Sequence, residues 1–169
     1  MNRRLPTAFA PGFVLSALLL VSCGGSATPA QLTDDGYAAL GKSDWKGAAG
    51  DFDQALATLK STDAGFLRAK MGQIEALIHT DAPKAKSEFL ALAAGTPSPV
   101  TAKEFVAVAS KLAGERKFSD AIDVLEVGKK MYPADAKLND VGKAMAKAAS
   151  KAGDSEAEKR LKGLGYLGD

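Results

Sequence analysis

The chain has 169 residues, of which 46% are hydrophobic and 25% are charged, a composition typical of one globular domain. Its formal net charge of +2 becomes zero once Arg3 and Arg4 are set aside. The chain also lacks a basic stripe with interleaved aromatic residues, so we expect no nucleic-acid partner. Cys23 is the only cysteine, which excludes an intrachain disulfide and a multi-cysteine metal site.

Residues 1–22 have the pattern of an export signal. Arg3 and Arg4 form a short positive segment, and an apolar run follows that ends at Val21. This run is shorter than the roughly 20 residues that a membrane-spanning helix needs. It leads into Leu20-Val-Ser-Cys23, which resembles the lipobox of bacterial lipoproteins.

The lipobox resemblance implies that the chain is cut before Cys23 and that this residue carries acyl chains such as palmitate. Several chains, at about 0.8 kcal/mol per buried methylene, make a stable membrane anchor. Gly24 is not the aspartate that retains enteric lipoproteins at the inner membrane, which implies the outer membrane, facing the periplasm. Residues 23–31 then form the lipidated cysteine and a flexible tether. An ordinary signal peptide, or an uncleaved anchor with an incidental cysteine, is the alternative.

Residues 32–169 are predicted to form pairs of helices with a nearly constant period. A small residue is followed four positions later by a large apolar one at Ala48/Phe52, Ala85/Phe89, Ala121/Leu125 and Ala157/Leu161, with intervals of 37, 36 and 36 residues. The pairs are expected at about 32–60, 66–97, 102–134 and 137–166.

Local signals support these boundaries. Asp81 is a suitable N-cap between the two helices of the second pair. Thr101 with Glu104, and Ser155 with Glu158, have the spacing of capping boxes. Residues 95–99, Gly-Thr-Pro-Ser-Pro, form the clearest internal break.

The stretch from Lys117 to Pro133 resembles the second helix of a tetratricopeptide repeat, because Phe118, Ala121, Leu125, Gly128 and Pro133 follow that pattern. The resemblance implies an all-α fold, a right-handed α-solenoid of about four helix-turn-helix repeats. The observed period exceeds the usual value of about 34 residues by a short turn insertion per repeat. A helical bundle without repeats is the alternative, since small and apolar residues at this spacing serve any close helix packing.

We expect no enzymatic activity, no metal site and no cofactor other than the covalent lipid on Cys23. His79 is the only histidine, which excludes a site that needs several histidines, such as a histidine-rich metal site. It is predicted to lie at a polar helix end. The neighbouring carboxylates Asp51 and Asp53 diverge on a helix, which indicates surface residues rather than an acid–base pair.

The repeat resemblance also implies a concave face lined by first helices, which binds extended or helical peptides. The positions expected to form the binding groove are Tyr37, Lys70, Ile74, Lys103, Val106 and Ser110. The same correspondence includes Leu40, Leu67 and Ile78, and in the fourth repeat Gly142, Ala146 and Ser150. Leu40, Ile74 and Ile78 suit the core equally well. Lys70 and Lys103 are predicted to be exposed and to favour an acidic or carboxylate-bearing ligand.

The sequence thus predicts a non-enzymatic, membrane-anchored lipoprotein that acts as an interaction adaptor or assembly factor in the bacterial cell envelope. Its partners would be the membrane, through the lipid, and another envelope protein or peptide, through the concave face. The alternative is a passive structural helical lipoprotein without a peptide-binding groove.

Overall fold

The computed structural model describes residues 27–95 and 99–167, and every regular element in this part of the chain is an α-helix. The prediction of an all-α chain is confirmed. The predicted signal peptide, residues 1–22, and Cys23 lie outside the described residues. The helices are α1 (Pro29–Gly41), α2 (Trp45–Leu56), α3 (Phe66–Thr80), α4 (Ala82–Ala93), α5 (Ala102–Gly114), α6 (Phe118–Met131), α7 (Ala136–Ala152) and α8 (Ser155–Gly163).

The first helix starts earlier than the sequence predicted. Thr28 is its N-cap, and Thr28 and Gln31 form a capping box. Pro29 occupies the first helical position, where its missing N–H would have had no intrahelical partner. Residues 29–31, which were predicted to belong to the tether, are therefore the first turn of α1.

The capping box predicted at Thr101 and Glu104 is confirmed, whereas the one predicted at Ser155 is wrong. Asp154 is the N-cap of α8, and Ser155 is already the first helical residue. Gly153 ends α7 with a φ of 72°, a left-handed conformation that glycine adopts without steric cost. The carboxylate that follows this glycine takes the capping position ahead of the serine.

Asp81 alone separates α3 from α4 and serves both helices. Its backbone N–H donates to the carbonyl of Leu77 at 2.7 Å, which closes α3. Its side chain accepts a hydrogen bond from the backbone N–H of Lys84 at 3.2 Å, which opens α4 and confirms the predicted N-cap. By contrast, α2 and α3 are joined by the longer segment 57–65.

The helices contact one another in two rows. Each odd-numbered helix packs against the even-numbered helix that follows it. Along the chain, α1 contacts α3, α3 contacts α5, and α5 contacts α7, and we call this set the first-helix row. The second-helix row is α2, α4, α6 and α8, within which α4 contacts α6 and α6 contacts α8. Neighbouring pairs are joined further through α2–α3 and α6–α7 contacts.

The hydrophobic core lies between the two rows. The small residues predicted to be points of close helix approach, and the large residues four positions later, are all buried. One core cluster runs from α3 to α8, and a smaller one joins α1, α2 and α3. The residues that form these pairs of one small and one large side chain are Ala48, Phe52, Ala85, Phe89, Ala121, Leu125, Ala157 and Leu161.

Phe52 illustrates how small residues shape the core. Its ring lies against two glycines 36 residues apart in the chain, Gly36 on α1 and Gly72 on α3. A Cβ added at Gly36 would be 2.8 Å from the ring, and one added at Gly72 would be 2.3 Å from it. Both helices therefore approach the ring through backbone that carries no side chain.

Over residues 27–95 and 99–167, we find no helix with the length and apolar character needed to cross a bilayer.

Candidate interaction surface

Tyr37, the aromatic residue predicted to lie in the groove, is engaged within the fold. Its ring meets Phe52 edge-on at a centroid distance of 5.2 Å, and its hydroxyl donates to the carbonyl of Arg68 at 2.9 Å. The Arg68 guanidinium lies 4.9 Å from the centre of the same ring. Burial, followed by the nearby Glu75 carboxylate, raises the pKa of Tyr37 despite the opposing effect of Arg68. Tyr37 thus joins α1 to α3 and offers only part of its surface to a partner.

Lys70 and Ile74 do not form an open groove either. The Lys70 ammonium donates to Gln73 and to Glu88 on α4, each at 2.7 Å, and its side chain is only 16% exposed. The prediction that Lys70 is exposed is therefore wrong, because its side chain turns towards the second-helix row. Ile74 is fully buried in the core, which was the open alternative for this residue.

The predicted positions on α5 retain exposed surface. Lys103 and Ser110 are exposed, and Val106 is partly buried against the core.

The other predicted positions are mostly inside the fold. In α7, Gly142 and Ala146 are buried and face the interior instead of a groove, whereas Ser150 is exposed. Leu40 and Ile78 are buried in the core, and Leu67 is partly buried against it.

On the first-helix row, an open cleft lies between α5 and α7. It has a volume of about 410 Å³, and its lining includes Ser110, which is the one predicted groove residue found there. An adjoining cleft of about 410 Å³ continues towards the ends of the same two helices. We name the two together the α5–α7 cleft. Its lining is Ser110, Ala113, Gly114, Arg116, Phe118, Asp140, Val141, Ala144, Met145, Ala148, Lys151 and Ala152.

The cleft is apolar along its middle and charged at its ends. Ala113, Gly114 and Ala148 belong to both halves and have small side chains. Asp140 lies at one end, near the start of α7, and Lys151 lies at the other, near its end. Small side chains would allow a ligand's backbone to approach the helices closely.

A second cluster, which the sequence did not reveal, surrounds His79. The imidazole stacks on the indole of Trp45 with ring centres 3.7 Å apart and planes 10° from parallel. Its Nδ1 lies 3.4 Å from a carboxylate oxygen of Glu115, in the turn between α5 and α6. The contacts join α2, α3 and α5, and they are separated by more than 30 residues in the chain, so no local pattern could indicate them.

Within the described residues, no group of three or more histidine, cysteine, aspartate or glutamate side chains is arranged to hold a metal ion. Comparison of the chain with protein-family models, with curated proteins and with solved structures gives no match.

Proposed function

We propose that the chain is a membrane-anchored adaptor or assembly factor of the bacterial cell envelope, built as a right-handed solenoid of four tetratricopeptide-like repeats. Residues 1–22 act as a lipoprotein signal peptide, and Cys23 carries the lipid that holds the protein at the outer membrane, facing the periplasm. The support is the succession of helix pairs in two rows and the 36-residue interval that relates them.

The observation that carries the adaptor proposal is the α5–α7 cleft. It lies on the first-helix row, is apolar, and ends in charges that pair with no described residue. Contiguous apolar surface rimmed by polar groups is typical of protein interaction sites. The partner in this proposal is another envelope protein, which binds through a short segment.

A second candidate, a passive structural lipoprotein without a groove, is favoured by a specific observation. Three of the six predicted groove residues serve the fold itself: Tyr37 bonds to α3, Lys70 pairs with Glu88 on α4, and Ile74 is core. The two candidates differ in whether the first-helix row contacts another protein in the cell.

The anchor is tested by replacing Cys23 with serine. We expect the wild-type chain to incorporate labelled palmitate and to fractionate with membranes as a processed protein. The Cys23→Ser chain should remain an unprocessed precursor that does not incorporate the label. Ser22→Ala serves as the control, since it changes the neighbouring residue and leaves the thiol. Equal labelling of the Cys23→Ser chain would contradict the lipoprotein proposal.

The adaptor is tested by placing a photo-cross-linking amino acid at single exposed positions in the full chain expressed in cells. Ser110 on α5 reports on the first-helix row, and Ser87 on α4 reports on the second-helix row. We expect a discrete cross-linked partner from position 110 and none from position 87. Cross-links from neither position would favour the passive structural lipoprotein.

A further inference from the structure

The α5–α7 cleft exists because large side chains found at the preceding junction of the first-helix row are replaced by small ones. Between α3 and α5, Ile74 and Ile78 on one helix and Val108 and Leu112 on the other are buried in a single core. The positions 36 residues later in the chain are Ser110, Gly114, Ala144 and Ala148. The opening at α3–α5 is about 90 Å³, whereas the first half of the α5–α7 cleft is about 410 Å³.

The α5–α7 junction also differs from the preceding junctions of the first-helix row in its charges. An ion pair between Asp34 and Arg68 bridges α1 and α3 at 2.7 Å, and Lys111 pairs with Glu75 between α5 and α3. In the part of the chain that the structure describes, no ion pair bridges α5 and α7. Instead, charges of both signs lie unpaired at the cleft: Asp140 at one end, Arg116 and Lys151 at the other.

We propose that the α5–α7 cleft binds one amphipathic helix of a partner protein. The helix presents two large apolar side chains one turn apart, a basic end beside Asp140, and an acidic end beside Arg116 and Lys151. This inference rests on the proposed adaptor function and specifies its ligand. The two apolar side chains supply the volume that Ile and Leu supply within the chain at α3–α5.

The charges specify which end of the bound helix is basic and which is acidic. The basic end belongs beside Asp140, and the acidic end belongs beside Arg116 and Lys151. A helix that has acidic side chains in its first turn and basic side chains in its last turn is also stabilised by its own dipole. The interval from Asp140 to Lys151 spans about 16 Å of helix, or three turns, which sets the length of the bound segment.

A second copy of this chain does not supply such a segment from its described residues. The large hydrophobic side chains exposed there are Met131 on α6 and Leu164 after α8. They lie on different elements and cannot form two apolar positions one turn apart. The occupant in this proposal is therefore a different protein.

The test uses a fluorescein-labelled, 14-residue helical peptide with blocked ends. Two glutamates stand in its first turn, two leucines stand four positions apart in an alanine and glutamine background, and two arginines stand in its last turn. Fluorescence anisotropy measures its binding to the full chain in detergent micelles, with empty micelles as the blank. We expect saturable binding at least fivefold tighter than that of a peptide with all four charged residues replaced by glutamine, or with both leucines replaced by alanine.

Filling the cleft provides the matched test in the protein. Ala148→Leu places leucine where the equivalent position 112 already has it. We expect this variant to lose at least tenfold in affinity while its thermal midpoint stays the same or rises, and Ala148→Ser to bind as the wild type does. Combined Arg116→Glu and Lys151→Glu changes, which make both ends of the cleft acidic, should remove the advantage of the charged peptide over the uncharged one.

Several results would overturn the inference. These are absence of peptide binding, equal binding of the uncharged peptide, or undiminished binding by a folded Ala148→Leu chain. Sedimentation that shows a dimer lost in Ala148→Leu would identify a second copy as the occupant, also against it. If the cross-link from position 110 persists in the Ala148→Leu chain, the adaptor proposal is supported and the proposal that the cleft binds a helix is contradicted. If the peptide binds but no cross-link forms in cells, the helix-binding proposal is supported and the adaptor proposal is contradicted.

Discussion

Glycines in this chain have opposite roles depending on what faces them. Gly72 lies in α3 directly against the ring of Phe52, which also contacts Gly36 on α1. Gly50 lies in the middle of α2, and a Cβ added there would meet no atom within 4 Å. The first glycine is required by close packing, whereas the second only lowers the helical propensity of its segment.

We therefore expect Gly72→Ala to lower the free energy of unfolding by about 1–3 kcal/mol, because the new methyl group overpacks the Phe52 ring. Gly50→Ala, the matched change in a neighbouring helix, should raise it by about 0.5–1 kcal/mol. Urea unfolding followed by circular dichroism measures both. A Gly72→Ala chain as stable as the wild type would show that Phe52 can move away at no cost.

Between elements, the contacts around His79 join parts of the chain that share no repeat position. The imidazole at the end of α3 lies between the indole of Trp45 on α2 and the Glu115 carboxylate after α5. Lys111 lies one turn before Glu115 but is itself paired with Glu75.

Trp45 is the only tryptophan, so fluorescence emission reports on its surroundings without interference from another indole. The stacked imidazole of His79 covers one face of the indole. We expect His79→Ala to shift Trp45 emission to longer wavelength, because the uncovered face gains contact with water. Lys84→Ala, a change at an exposed residue of α4, is the control and should leave the spectrum unchanged. An unchanged spectrum in a folded His79→Ala chain would contradict the stacking contact.

At the scale of the whole molecule, a chain of ion pairs joins three helices of the second-helix row, α4, α6 and α8. Lys86 on α4 lies 2.7 Å from Asp120 and from Asp123 on α6. Arg160 on α8 lies 2.8 Å from Asp123 and 2.9 Å from Glu126. Burial raises the pKa of Asp123, but hydrogen bonds from Lys86 and Arg160 outweigh it, so the net pKa is lower than usual.

Because the pKa of folded Asp123 is lower than its unfolded value, its carboxylate stabilises the fold above the ordinary aspartate range near pH 4, and this contribution disappears as the pH falls through the folded value. We expect Asp123→Asn to lower stability by about 1 kcal/mol at pH 7, and less in 1 M salt, where charges are screened. Asp140→Asn, which removes an unpaired carboxylate, is the control. Equal effects of the two changes in thermal unfolding at pH 7 would contradict a special role for Asp123.

Much of this architecture can be predicted from sequence because its determinants are local. The alanines at positions 48, 85 and 121 identify the buried side of each second helix, and Thr101 and Asp81 mark helix starts within one turn. The orientation of Lys70 is different, because Glu88 on the following helix determines it. Repeat position alone therefore assigned Lys70 to the wrong face.

The α5–α7 cleft also could not be predicted from residues considered one at a time. Ala144 and Ala148 look like ordinary helix formers, and their meaning appears only when they are compared with Val108 and Leu112, the equivalent residues one interval earlier. A cleft of this kind is a difference between two junctions, so it requires that the helices of both be placed in space.

The dual use of Asp81 has a consequence for how this chain can change in length. One added residue between α3 and α4 would separate the hydrogen bond that closes one helix from the one that opens the next, so this corner has no room for insertions. The segment 57–65 shares no cap between two helices, and most of it is exposed. Length variation, an inserted tag or a protease cut should therefore be accepted between the first two helix pairs, and rejected inside the second pair.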